Sequence, residues 1–150
     1  TLSHYKKVLF LKTNLNKIKE DQEVLVNSER IKLLTAIGIT YYDLGKHEKA
    51  VKFLSEALAL EDSVKDNRTC RYVLICNALG KAFYETNRFE DALAISSKGI
   101  DSLKENTESA PSQSDKLSLL KLKAKTLFRL NKAEEAEKIY AEIKNETTKH

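Results

Sequence analysis

Apolar residues recur along this chain at the three- and four-residue spacing of α-helices, and turn-forming residues interrupt the pattern at intervals. Ile31, Leu34, Ile37 and Tyr41 form one such stripe. A stretch at 106–114 is rich in Ser and Thr and holds the one Pro, so we predict a loop there. The pattern predicts seven helices, at about residues 2–19, 23–44, 47–62, 68–86, 89–105, 115–130 and 133–145.

The three predicted helix pairs that follow the first helix share one arrangement of small, aromatic and turn residues. Each pair is predicted to turn sharply at Gly45, Asn87 or Asn131, because Gly and Asn tolerate a left-handed backbone. Both Asn residues are followed by Glu three positions later, so we also predict that each Asn begins the second helix as an N-cap. The shared residues are Gly38, Tyr41, Gly45, Ala50 and Ala57 in the first copy, Gly80, Phe83, Asn87, Ala92 and Gly99 in the second, and Ala124, Leu127, Asn131 and Ala136 in the third.

This repetition predicts an all-α fold, a right-handed α-solenoid of antiparallel helix pairs with about seven helices. A length of 150 residues suits a single domain. The leading helix has no preceding partner helix and the first residue is Thr1, so we expect the chain to be part of a longer protein. The predicted organisation is one helical repeat domain over residues 1–150, with a leading helix at 1–20 and repeats at about 23–64, 66–106 and 115–146.

Composition narrows the class of protein. Apolar residues make up 41% and charged residues 32%, which is typical of a helix-rich globular chain. No window approaches 18 consecutive apolar residues, so we predict no membrane span. The net charge of +4 comes from interleaved charges and does not indicate nucleic-acid binding. Cys70 and Cys76 fit no metal or redox spacing, and with no secretory leader they favour a reducing, cytoplasmic location.

The repeated residues resemble the tetratricopeptide repeat, whose pattern is Leu-Gly-x-x-Tyr, a second Gly about seven residues later, and small residues along the second helix. The resemblance covers roughly residues 31–144, although the family's Pro after the second helix is absent and Ile143 replaces a small residue. It implies a domain that binds a peptide or a protein segment and has no cofactor.

The repeat period points to a narrower resemblance. Ala50 and Ala92 are 42 residues apart, and Ala92 and Ala136 are 44 apart, against about 34 in the standard repeat. Long-helix repeats of this kind are similar to those of the Rap/PlcR/NprR-type regulators of bacteria. That likeness implies binding of a secreted signalling peptide, and so a role in quorum sensing and transcription regulation.

The first helix of each pair is expected to line the concave face of the solenoid, where a ligand would bind. An Asn amide can hold a peptide unit, a Lys can hold an acidic group, and a Tyr ring offers a flat contact. The alternatives remain open that the lysines are a solvated surface, that the aromatic rings pack between pairs, and that Asn77 is a structural amide. The predicted peptide-binding residues are Thr35, Tyr42, Asn77, Lys81, Tyr84, Lys121 and Lys125.

The sequence contains no Ser-His-Asp set, phosphate loop or metal-ligand cluster, so we expect no enzyme activity, no metal and no cofactor. In the tetratricopeptide repeat, the position that His47 occupies usually holds an aromatic residue, which favours a packing role for His47. Two function classes stay open: a signalling-peptide sensor in a bacterial transcription regulator, and a general scaffold or adaptor for protein–protein interaction. The expected partner is a short peptide or protein segment in the groove, with a homodimer as a candidate assembly and no membrane partner. Nucleic acid is not expected to bind through this domain itself, and contact through the basic third pair is a further alternative.

Overall fold

A computed structural model describes residues 2–21, 27–64, 69–105 and 113–148. These residues form α-helices joined by tight turns, with no strand among them. The architecture is that of an all-α solenoid of antiparallel helix pairs. In chain order the helices are α1 (Leu2–Asp21), α2 (Asn27–Asp43), α3 (His47–Val64), α4 (Thr69–Glu85), α5 (Phe89–Glu105), α6 (Gln113–Arg129) and α7 (Ala133–Thr148).

All seven predicted helices are confirmed, with ends that differ by a few residues. Residues 23–26 of the second predicted helix and residues 106–112 of the predicted loop lie outside the described residues. The end of the predicted loop was wrong, because Gln113 and Ser114 already belong to α6. Asp115 lies in the first turn of that helix, where a negative charge interacts favourably with the positive end of the helix dipole.

The helices form two compact units, residues 1–66 and residues 67–150. In the first unit, α2 packs against both α1 and α3. In the second unit, α4 pairs with α5 and α6 pairs with α7, while α6 also contacts α4 and α5. A single domain over the whole chain stays a prediction.

The core of the first unit confirms the predicted inward-facing stripe of α2. Ile31, Leu34 and Ile37 are fully buried, and Leu54 of α3 is buried against the same helix. A Cβ atom at Gly38 would lie 2.5 Å from Leu54 Cγ, so only a residue without a side chain allows this approach. The first pair therefore packs closely at Gly38.

Gly80, the equivalent glycine of the second unit, packs against a helix of the next pair. A Cβ atom at Gly80 would lie 2.5 Å from Leu122 Cδ2 but 3.9 Å from Ile95 Cγ2. Gly80 thus makes room for α6, the first helix of the next pair, rather than for its own partner α5. Cys76 is fully buried nearby and forms no disulfide.

The same turn closes all three helix pairs. In the first pair, the Gly45 N–H donates to the Tyr42 carbonyl at 2.9 Å and the Lys46 N–H donates to the Tyr41 carbonyl at 2.9 Å. This pair of hydrogen bonds is the Schellman motif, which ends a helix at a residue with a left-handed backbone. The left-handed residues are Gly45, Asn87 and Asn131, with φ of 80°, 63° and 62°.

The prediction that Asn87 and Asn131 begin the second helices was wrong. The first helical hydrogen bond of α5 runs from the Ala92 N–H to the Arg88 carbonyl at 3.0 Å, so Arg88 is the N-cap. In α7 the equivalent bond ends on the Lys132 carbonyl at 3.1 Å. An N-cap residue needs an extended backbone, and each Asn has already taken the left-handed conformation that ends the preceding helix.

The packing register predicts a difference between two alanines of α3. Ala50 is fully buried and Ala59 is exposed. We expect Ala50→Leu to lower the free energy of unfolding by about 1–3 kcal/mol, because the added carbons overfill a close helix–helix contact. Ala59→Leu is the matched control and should leave urea and thermal unfolding unchanged. Equal unfolding curves for the two variants would contradict this register.

The turn chemistry predicts opposite effects of two substitutions at Asn131. Asn131→Ala should lower the free energy of unfolding by about 1 kcal/mol, because Ala bears the full steric cost of a left-handed backbone. Asn131→Gly should keep or raise stability at the same position, because Gly adopts this backbone freely. Urea unfolding of both variants measures the difference, and a stable Asn131→Ala would show that the left-handed turn is not needed.

Candidate peptide-binding face

Helices α4 and α6 lie side by side in the second unit, and five of the seven predicted site residues lie on them. Their contact is close because Leu122 of α6 packs at Gly80 of α4. We call the surface formed by the two helices the α4–α6 face. Its predicted residues are Asn77, Lys81 and Tyr84 on α4, and Lys121 and Lys125 on α6.

A hydrogen bond between side chains joins the two helices at one end of this face. The Ser118 Oγ donates to the Asn77 Oδ1 at 3.1 Å, and Asn77 is only 9% exposed. The structural alternative for Asn77 is therefore supported, since its oxygen already has a protein partner. Its amide nitrogen supplies two further N–H donors, so the two roles are compatible. This bond is the polar contact that sequence reasoning missed, although the spacing of residues 118, 121 and 125 shows that they share a face of α6.

A cation–π contact joins the helices further along the face. The Lys125 Nζ lies 4.2 Å from the centre of the Tyr84 ring. That ring in turn meets Phe89 edge to face, with centroids 5.3 Å apart. The contact restrains the ammonium group, whose N–H donors remain able to bind an anion. Tyr84 thus has a packing role and also positions a charge.

Aromatic rings at the equivalent position of the other two pairs also pack within their own pair. The Tyr42 ring lies 4.9 Å from the His47 ring, and the Phe128 ring lies 5.8 Å from the Tyr140 ring. The packing role expected for His47 is therefore observed. The alternative expected the aromatic rings to pack between pairs, whereas these two ring contacts lie within a pair.

The charges of the second unit are segregated by helix. Helices α4 and α6 together carry seven basic and two acidic side chains. Helices α5 and α7 together carry nine acidic and four basic ones. Lys121 is exposed and Lys81 is half-buried. Positive charge is therefore concentrated on α4 and α6 and negative charge on α5 and α7, although Lys116 of α6 pairs with Glu146 of α7 at 3.2 Å.

The two remaining predicted residues lie on α2 in the first unit. Thr35 is 5% exposed, and its Oγ1 donates to the Ile31 carbonyl at 2.7 Å within the same helix. It offers little surface to a ligand. Tyr42 is half-buried and partly occupied by its contact with His47.

Other kinds of site have little support in the part of the chain that the structure describes. No group of three or more His, Cys, Asp or Glu side chains there is placed to hold a metal ion. None of the described helices is long and apolar enough to span a bilayer.

Comparisons with known proteins support the fold and the repeat type. Residues 31–63 match the family of the tetratricopeptide repeat. The structure is similar to the crystal structure of a variant of a candidate kinesin light chain from Podosopora anserina, whose repeats are described as nearly identical and TPR-like. That match has a TM-score of 0.76 at 13% sequence identity and covers 97% of this chain and 68% of the other. The comparison with curated proteins found no match. The chain therefore carries a TPR motif within a TPR-like helical repeat fold, a type of fold that generally serves protein–protein interaction.

The hydrogen bond between α4 and α6 predicts a stability difference between two serines of α6. Ser118→Ala leaves the Asn77 oxygen without this partner and should lower the free energy of unfolding by about 0.5–1.5 kcal/mol. Ser114 is exposed on the same helix, so Ser114→Ala is the matched control and should have no effect. Chemical unfolding followed by circular dichroism checks both variants, and equal midpoints would mean that the bond contributes nothing.

Proposed function

We propose that the protein is a peptide- or protein-binding repeat domain, and that the α4–α6 face binds an extended segment with acidic residues. The charge segregation of the second unit is the observation that carries this proposal. TPR-like folds commonly bind peptides or protein segments, which agrees with the same class of partner. An acidic segment would be drawn to α4 and α6 and repelled by the helices behind them.

Each residue of the face has a role in this proposal. Asn77 donates its amide hydrogens to a peptide carbonyl, while its oxygen is held by Ser118. Lys81, Lys121 and Lys125 bind acidic side chains or a terminal carboxylate through charge-assisted hydrogen bonds. Lys125 enters this interaction already positioned by Tyr84, so less side-chain entropy is lost on binding.

Exposed apolar side chains complete the face. Leu74 of α4 and Phe128 of α6 are both substantially exposed, and each lies at a helical spacing from the polar residues on its own helix. An extended peptide that places acidic residues on the lysines could cover these two side chains with apolar ones. The proposed ligand is therefore acidic with interspersed apolar residues.

The finer hypothesis is that this domain senses a signalling peptide for a bacterial transcription regulator. It is supported by the spacing of 42 and 44 residues between equivalent alanines, which is typical of long-helix peptide sensors. The general scaffold or adaptor function is supported equally by the fold. In a sensor, the peptide must bind one conformation more tightly than another and so shift the population between them.

The proposal predicts which peptides the protein selects. A phage library of random octapeptides, panned on the purified 150-residue chain, should become enriched in Asp and Glu. For an enriched peptide, Lys121→Glu should raise the dissociation constant roughly tenfold or more, because a charge-assisted hydrogen bond is replaced by repulsion. Isothermal titration calorimetry of the parent and variant measures the change.

Lys138→Glu is the matched control, because Lys138 is exposed on α7 and the variant has the same net charge as Lys121→Glu. It should change the dissociation constant less than about twofold, since surface charges beyond a Debye length are screened. Equal losses of affinity in both variants, or enrichment of peptides without acidic residues, would contradict the proposed face.

Size-exclusion chromatography with light scattering then distinguishes the sensor hypothesis from the scaffold hypothesis, since a sensor should change its oligomeric state with the peptide and a simple scaffold should not.

A further inference from the structure

Four lysines of the first unit converge on three aromatic rings. They come from α1, from the turn before α3 and from α3 itself. None of the four makes an ion pair with any of the described acidic residues. We call this group the lysine–aromatic cluster: Lys12, Lys46, Lys49 and Lys52, with Tyr5, Tyr41 and Phe53.

The centre of the cluster is a stacked pair of rings. Tyr41 and Phe53 lie with centroids 5.6 Å apart and planes inclined by 20°. The Lys12 Nζ lies 5.2 Å from the Tyr41 centroid and 5.5 Å from the Phe53 centroid. The Lys49 Nζ lies 5.4 Å from Tyr41, and the Lys52 Nζ lies 5.8 Å from Phe53. Three ammonium groups from two different helices therefore share one pair of rings.

The cluster extends along the helices beyond this centre. The Lys46 Nζ lies 4.8 Å from the centre of the Tyr5 ring. Tyr5 and Lys12 are seven residues apart on α1. Lys46, which directly precedes α3, and Phe53, within α3, are also seven residues apart. Side-chain contacts between α1 and the segment 46–53 thus repeat after two helical turns.

Bringing like charges together raises the electrostatic energy of the folded protein. The aromatic rings offset part of this cost, and each ammonium group on a ring still has N–H donors for an anion. Two acidic residues of α3 are close to the cluster in sequence: Glu48, four residues before Lys52, and Glu56, four residues after it. Neither of them makes an ion pair with the four lysines, so no described carboxylate neutralises these lysines by direct contact.

We propose that the lysine–aromatic cluster binds a small ligand that carries a diphosphate or triphosphate group. A polyphosphate concentrates several negative charges and many acceptor oxygens in a short chain, which matches several ammonium groups gathered around neighbouring aromatic rings. A single carboxylate would engage only one of them. This site lies in the first unit and is separate from the α4–α6 face, so it does not depend on the peptide-binding proposal.

The test is a titration of the 150-residue chain with inorganic pyrophosphate and with tripolyphosphate at constant ionic strength. The lysine ε-CH2 signals in carbon–proton correlation NMR report on the binding. We expect saturable shifts confined to a few lysines, and tighter binding of tripolyphosphate than of chloride or acetate. ATP is titrated in parallel, to show whether a nucleoside adds affinity to that of the phosphates.

Four variants distinguish a specific binding site from general electrostatic attraction. Lys12→Gln and Lys49→Gln should each weaken tripolyphosphate binding roughly tenfold, because each removes a charge-assisted contact. Lys17→Gln removes an exposed charge from the same helix as Lys12 and should weaken it less than about twofold. Phe53→Leu keeps every charge but removes a ring, and it should also weaken binding.

A fifth variant should strengthen binding at the site. Glu56→Gln removes an acidic neighbour and should tighten tripolyphosphate binding about twofold or more, since it removes a repulsive charge beside the ligand. Equal losses for Lys12→Gln and Lys17→Gln, no effect of Phe53→Leu, or no saturable shift at all would each overturn the proposal. Loss of peptide binding on the α4–α6 face would have no bearing on it.

Discussion

The close approach of helices at residues without side chains is the constraint on which the rest of this structure depends. Gly38 lets Leu54 of α3 pack against α2, and Gly80 lets Leu122 of α6 pack against α4. Interiors as dense as these tolerate little change in volume, so both contacts hold their helices in one register. The contact between α4 and α6 at Gly80 is accompanied by the hydrogen bond from the Ser118 side chain to the Asn77 side chain.

The packing of the helices groups their charged residues into separate basic and acidic regions. In the second unit, α4 and α6 are basic and their partners α5 and α7 are acidic. In the first unit, lysines from α1 and α3 lie over the stacked rings of Tyr41 and Phe53. In both units an aromatic ring holds a lysine in place while leaving its hydrogen-bond donors available. The two proposed binding surfaces thus use the same physical device for different ligands.

Much of the fold could be predicted from local patterns, and the failures were local as well. The spacing of apolar residues predicted each helix because burial on one face imposes the helical period. Asn87 and Asn131 were correctly assigned to left-handed turns but wrongly assigned as N-caps. A short Asn-x-x-Glu motif cannot show which of two adjacent residues provides the first helical carbonyl, since that depends on the backbone conformation of the whole turn.

The sequence could predict which helix each candidate site residue lies on, but not which residues of other helices it contacts. The sequence by itself determined the helices, the turns, the buried stripes and the basic character of α4 and α6, because each of these follows from short-range spacing and composition. Only the tertiary structure decided that Asn77 would bond to Ser118, that Lys125 would lie over Tyr84 and that Thr35 would be buried. Those outcomes depend on contacts between residues up to 41 positions apart, and helical periodicity carries no information about which distant helix will pack against a given face.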